Sequence, residues 1–289
     1  MAVFGLIVAG CGSSTAPTTP TTTATTQTTL TFTSTVTGNP VAGASVVVAG
    51  APYTTGDDGI ITLSSAVGVG ATVDTSAPGV IDRVTTVKAD PTITLWEIPA
   101  GVDSSFIRQL AYDRAGTPEV LWRPVGTVIS LQLTGDLAND PAVRTAHIQA
   151  AAMATAMTGA RVTVQLGGST SGTGVFTILL NPSNQASATT YLAQTRGAIQ
   201  GGRVEYASIA AARTTSVVVH ELGHMLGFGH APFGIMCPTA CGVDNFSPLE
   251  SAVWVSMWQR IPGTAPLDND RVASASSVSE TAVFSCDIR

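Results

Sequence analysis

Apolar and polar positions follow three successive rhythms along the chain. Residues 2–9 (AVFGLIVA) form one short apolar run, and a polar stretch follows it. From about 30 to 98, short β-branched runs alternate with turn residues. The runs are Leu30–Thr37, Ala44–Val48, Ile60–Leu63, Ala71–Asp74, Arg83–Val87 and Thr92–Leu95. The turn signals are Gly38-Asn39-Pro40, Gly56-Asp57-Asp58-Gly59 and Ala77-Pro78-Gly79. Many short strands at this spacing predict a small all-β sandwich. Beyond about 104 the elements lengthen and mix. Val125–Leu133, Arg161–Leu166 and Val175–Leu180 read as strands, and Pro141–Met157, Ala-rich behind Asp140, reads as a long helix. Gln194–Ile199 with Gln200-Gly201-Gly202 reads as a hairpin running into Arg203–Ile209. An apolar helix starts near Thr214 or Thr215, either of which suits an N-cap. Ser247-Pro248-Leu249-Glu250 has the form of a capping box for a last helix reaching Arg260. The fold class is therefore α+β, preceded by a small all-β unit.

Composition narrows the function. The chain has 289 residues, a length that suits roughly two domains at about 150 residues each. Thirteen basic against nineteen acidic residues leave a net charge of −6, which argues against nucleic acid as a partner. Hydrophobic residues make up 44%, enough for a core and too many for general disorder. No apolar run approaches the length of about 18 residues that a spanning helix needs. The run at 2–9 fits the hydrophobic part of a signal peptide, although Met1–Gly10 holds no Lys or Arg. Val8-Ala9-Gly10-Cys11 resembles a bacterial lipobox. That resemblance implies cleavage before Cys11, lipidation of its thiol and placement at the cell envelope, with the lipid as the only membrane contact. Fourteen of the twenty-five residues 13–37 are Thr, a composition that favours an extended spacer. The resulting division is a signal peptide at 1–10, a Thr-rich linker at 11–29, an all-β domain at 30–98, a second domain at 104–263 and a tail at 264–289.

The chemistry concentrates in residues 220–230, His-Glu-Leu-Gly-His-Met-Leu-Gly-Phe-Gly-His, which hold three of the four histidines in the chain. His220 and His224 are i and i+4, so a helix places them on one face, one turn apart. Two imidazoles so placed can share a metal at the usual Zn–N distance of roughly 2.0–2.1 Å. Glu221 sits beside the first ligand, where its carboxylate can reach a water on the metal. Gly227 can take a left-handed conformation and end the helix, so that the reversed chain returns His230 as a third ligand. Three nitrogen ligands leave a fourth position open, the arrangement of a catalytic zinc. One zinc, His220, His224 and His230 as ligands and Glu221 as general base make a complete site for peptide hydrolysis.

His220-Glu221-x-x-His224-x-x-Gly227-x-x-His230 is similar to the signature of the metzincin metalloproteases. Gly234-Ile235-Met236-Cys237-Pro238 resembles their Met-turn, in which Met236 would underlie the metal without ligating it. Leu121-Trp122-Arg123-Pro124 with Val128–Leu133, Gly202–Ile209, and Asn245–Glu250 with the following helix resemble segments of bacterial matrixin-like enzymes. The resemblance covers about 105–270 and implies a twisted mixed sheet, long helices and a protein or peptide substrate. It also implies substrate pairing with an edge strand, for which 191–199 is the candidate. Ala231 departs from the pattern where matrixins have Ser, and Cys237 stands where a Tyr is common. In the first domain, Pro40–Val46, Thr55–Gly59 and Ile61-Thr62-Leu63 resemble the carboxypeptidase regulatory-like β-sandwich family, a binding or spacer module.

The remaining candidates are weaker. With Cys11 lipidated, Cys237, Cys241 and Cys286 allow one disulfide, and the sequence does not choose the pair. Many matrixins are silenced by a pro-segment cysteine on the zinc. No cysteine lies between 12 and 236, so latency by that route is not expected. Structural calcium occurs in matrixins, yet no acidic cluster supports it: Asp57-Asp58 and Asp268-Asn269-Asp270 read as polar turns. His147 reads as a structural or solvated residue of the long helix. A monomer is expected. Two other functions stay open: a surface binding or adhesion lipoprotein with a non-proteolytic zinc domain, and a hydrolase of cell-wall amides.

Overall fold

The computed structural model describes residues 28–64, 67–100, 102–112, 120–239, 242–265, 268–270 and 280–286. The protein is a mixed α+β molecule with several sheets and few helices. Its first part is built from β1 (Thr29–Ser34), β2 (Ser45–Val48), β3 (Ala51–Thr54), β4 (Ile60–Thr62), β5 (Thr72–Ser76), β6 (Arg83–Thr86) and β7 (Thr92–Leu95). β1 lies between β4 and β7 in a three-stranded sheet, and β3-β2-β5-β6 form a second sheet. Alternate residues point to opposite faces of a strand. Leu30 and Phe32 of β1, Val46 and Val48 of β2 and Val73 of β5 are accordingly buried in one common core. The Asp57-Asp58 turn behaves as a turn. Asp58 Oδ1 accepts a bond of 2.9 Å from the Ile60 amide, and a Cβ at Gly59 would press on the Phe32 carbonyl.

The second part contains α1 (Ser104–Tyr112), β8 (Arg123–Pro124), β9 (Val128–Leu133), α2 (Gly135–Asn139), α3 (Pro141–Met157), β10 (Thr163–Leu166), β11 (Val175–Leu180), β12 (Ala188–Thr195) and β13 (Ala198–Tyr206). It continues with α4 (Ile209–Arg213), α5 (Thr215–Met225), α6 (Pro248–Trp258) and β14 (Glu280–Cys286). One sheet runs β10-β9-β11-β13-β12-β14, with β8 beside β13. β9, β10, β11 and β13 pair in parallel, and β12 is antiparallel to both of its neighbours. α3 starts on Pro141 because Asp140 accepts bonds from the Ala142 and Val143 amides. Its buried stripe is largely alanine, which lets it approach α5 closely. No helix among the described residues is long and apolar enough to cross a membrane.

Two expectations need correction, and a third gains a role. The candidate peptide-binding edge at 191–199 spans a turn: β12 ends at Thr195, and Arg196 (φ 50°) and Gly197 (φ 76°) join it to β13. Two successive left-handed residues are what a tight hairpin demands. Asp268-Asn269-Asp270 is a polar turn, closed by paired Ala265–Asn269 backbone bonds, and it is buried at its first residue. Asp268 is fully buried and takes a fork from Arg260 at 2.5 and 2.6 Å, while Asp270 bonds Arg83 at 3.0 Å. Two buried guanidiniums need counter-charges, and this segment supplies them. The stretch from 264 onward is likewise more than a tail. Asp270 bonds back to Val84, and β14 completes the main sheet with Ala282 and Phe284 in its core.

The two parts are stitched together. Thr35 Oγ1 meets Ser256 Oγ at 2.8 Å, Gln259 donates to the Thr35 carbonyl at 2.7 Å, and Arg260 donates to the Thr94 carbonyl at 3.0 Å.

Candidate metal centre

α5 is buried all round from Val217 to Met225, so its polar side chains sit in the interior. His220, Glu221 and His224 are fully buried. Thr214 occupies the N-cap position of this helix, without a side-chain capping bond. The helix ends in a Schellman motif. The Phe228 amide donates to the Gly223 carbonyl and the Gly227 amide to the His224 carbonyl, both at 2.9 Å. Gly227 has φ 102°, and a Cβ there would overlap the Trp122 carbonyl. A left-handed glycine is therefore required at this place on two counts. The turn returns His230 to the helix face, with its ring 4.8 Å from that of His224 and 5.4 Å from that of His220.

Backbone carbonyls fix the two helical imidazoles. His220 Nδ1 bonds the Ile235 carbonyl at 2.6 Å and His224 Nδ1 bonds the Phe228 carbonyl at 2.9 Å. Both rings are thereby set to present Nε2, as ligating histidines do. The two Nε2 atoms are 3.1 Å apart. Burial holds the His220 imidazole down at about 3, so it is a neutral base ready to ligate.

Cys286 joins them. Its Sγ lies 2.7 Å from His220 Nε2, 3.4 Å from His230 Nε2 and 3.6 Å from His224 Nε2. The donor atoms of His220, His224, His230 and Cys286 all lie within 4.8 Å of one another, a cluster that could hold a metal ion. Tetrahedral coordination at ordinary Zn–N and Zn–S lengths puts donors about 3.3–3.8 Å apart, and three nitrogens with one sulfur suit a borderline-soft ion. The donor chemistry fits such an ion, and the donor distances, from 2.7 Å up to a limit of 4.8 Å, bracket that spacing. Cys286 is a free thiol, which corrects its place among the disulfide candidates. Cys237 is disulfide-bonded. Cys241 and Cys11 lie outside the described residues.

Glu221 stands next to the cluster. Thr190 Oγ1 of β12 donates a short hydrogen bond to its Oε2, while Oε1 makes no hydrogen bond among the described residues. Burial, opposed by hydrogen bonds from Thr190 and Cys286, raises the carboxyl to about 7. Met236 is fully buried in the turn closed by the Ala231 amide donating to its carbonyl at 3.0 Å. Its sulfur packs on Gly223, where any Cβ would collide with it.

The sequence reading missed two partners of this site. Glu250 does make the capping box with Ser247, but its Oε1 also accepts from the Ile235 amide at 3.0 Å. The last helix therefore secures the loop that orients His220. Cys286 was missed as a ligand because it is 66 residues from His220. The available signal was the alternation in 280–286, which puts Ala282, Phe284 and Cys286 on one face. His147 takes no part in the cluster. It is buried, with Nδ1 at 2.9 Å from the Val143 carbonyl and Nε2 at 3.5 Å from the Tyr206 hydroxyl.

No known protein family matches the chain, and no curated protein matches it. A solved structure, an inactive D437A variant of the GH20 exo-β-N-acetylglucosaminidase of Vibrio harveyi, is similar at 15% identity over 53% of this chain, with a TM-score of 0.24. The chain spans 22% of that enzyme's length.

Proposed function

We propose that the chain is a zinc-dependent endopeptidase of the metzincin type, with His220, His224 and His230 as ligands, Glu221 as general base and Met236 as the Met-turn residue. The observation that carries this reading is the convergence of three imidazoles, those of His220, His224 and His230, beside the fully buried carboxyl of Glu221. Zinc held there would act as a Lewis acid on a peptide carbonyl and on water. The other work belongs to the chain. Glu221 takes a proton from water and returns it to the departing amine. β12 offers its main chain to an extended peptide by strand addition. That edge supports an antiparallel partner, since β14 occupies it from Ala188↔Cys286 to Gln194↔Glu280.

In this reading the first two sheets form a β-sandwich module of the carboxypeptidase regulatory-like kind, packed on a matrixin-like catalytic domain. A lipid at Cys11 followed by the Thr-rich linker would hold the enzyme at a bacterial cell envelope. The support for that placement is the string Val8-Ala9-Gly10-Cys11.

A second reading is favoured by Cys286 itself. Four protein donors make a closed set, the usual form of a structural zinc site. Cleavage separates the two. Zinc-loaded full-length chain, wild type and Cys286→Ser, is assayed on casein and gelatin with and without chelator. Cleavage that is abolished by chelator supports the peptidase. One tightly held zinc without cleavage in either protein supports the structural site.

A further inference from the structure

We propose that β14 is a built-in inhibitor, with Cys286 closing the metal site as a fourth ligand; the proposal rests on the peptidase reading above. The strand blocks the site in three ways at once. Its main chain pairs with β12 along the edge that an extended peptide would use. Cys286 is placed within 2.7–3.6 Å of all three Nε2 atoms, where a reacting carbonyl or water would have to bind. Two residues earlier, on the same face of the strand, Phe284 stacks on His224 at 4.2 Å and 15° and meets His230 edge-on at 6.0 Å. Thr190, which holds Glu221, stands opposite Phe284 in the register. The outward residues Val283 and Ser285 are exposed, so the inward alternation is specific to the face that covers the site.

A buried free cysteine usually serves as a small hydrophobe. One sulfur among three imidazole nitrogens has no apolar setting. Its natural state there is a metal-bound thiolate, the proton leaving as the metal binds. On opening, water would replace the Cys286 sulfur at the metal, the released thiolate would take up a proton from that water to leave hydroxide on the metal, and β14 would leave β12. No oxidant or reductant takes part. The peptide edge and the fourth position become free together, because one strand blocks both.

The probe is cobalt(II) in the full-length chain, with zinc for cleavage assays. Wild type is expected to bind one cobalt with a sulfur-to-cobalt charge-transfer band, and Cys286→Ala to bind one cobalt without it. Zinc-loaded Cys286→Ala should cleave casein at least about tenfold faster than wild type, the inverse of a small open fraction. Phe284→Ala, which keeps the sulfur, should also cleave faster. In wild type alone, iodoacetamide labelling of the Cys286 peptide should be slow with metal and faster after chelation. Absence of the sulfur band in wild type, or labelling indifferent to metal, overturns the proposal while leaving the peptidase reading intact. Cleavage by wild type as fast as by both variants overturns it in the same way. A sulfur band with no cleavage by any variant overturns the peptidase reading and the inhibition with it.

Discussion

Glu250 Oε1 accepts a hydrogen bond of 3.0 Å from the amide of Ile235, and the Ile235 carbonyl in turn holds His220 Nδ1 at 2.6 Å. A residue of α6 thus orients a ligand on α5 through one peptide unit. Glu250→Ala removes this bond and the capping bond from the Ser247 amide together. Stability should fall by about 1–3 kcal/mol, and metal affinity by roughly 10–100-fold. Denaturant melts and metal competition measure the two. Unchanged affinity would mean that the loop is held without Glu250.

Gly227→Ala should be harmful far beyond its size. The left-handed φ costs a side chain at least about 1–2 kcal/mol, and the added methyl overlaps the Trp122 carbonyl. The turn that returns His230 would open. Chemical denaturation should show the loss, and the variant should bind cobalt more weakly than wild type.

His147 should make the fold sensitive to mild acid. Burial, opposed by the Val143 carbonyl, lowers its pKa to about 4 from 6.5. The unfolded chain takes up the proton first as pH falls, so the contribution is complete above 6.5 and declines towards 4. Between pH 7.5 and 4.5 the loss from this group is about 2–3 kcal/mol. His147→Gln should therefore show a shallower pH dependence of unfolding than wild type over that interval. Parallel curves would rule the residue out as a source.

Asp268→Asn should be among the most damaging changes distant from the metal cluster. It leaves the Arg260 guanidinium buried without its forked partner, a type of loss worth about 3–5 kcal/mol. Thermal melting of the variant against wild type measures it.

What the sequence disclosed and what it hid divide by range along the chain. His220 and His224 on one helix face, Gly227 as its terminator, the Asp140 cap and the Ser247–Glu250 box depend on residues within a few positions. Their chemistry is written in spacing. The runs read as strands at 92–95 and 175–180 and the helix at 141–157 have the expected bounds for the same reason. The helix at 104–112 and the strand at 51–54 went unread, since Pro52 and the polar positions of Ser104–Tyr112 obscure the apolar rhythm. β14 was hidden for a different reason. Residues 282–286 alternate between buried and exposed, but only pairing with β12 reveals that the buried face meets the histidines. The burial of Asp268 depends on Arg83 and Arg260, which arrive from separate elements.

The most direct test of the account removes the proposed base and keeps the ligands. In a Cys286→Ser background, zinc content and casein cleavage are compared for Glu221 and Glu221→Gln. The account predicts one zinc in both proteins, cleavage in the first, and loss of at least about 100-fold in the second. Equal cleavage by the two zinc-loaded proteins would contradict the assignment of Glu221 and the hydrolytic chemistry built on it.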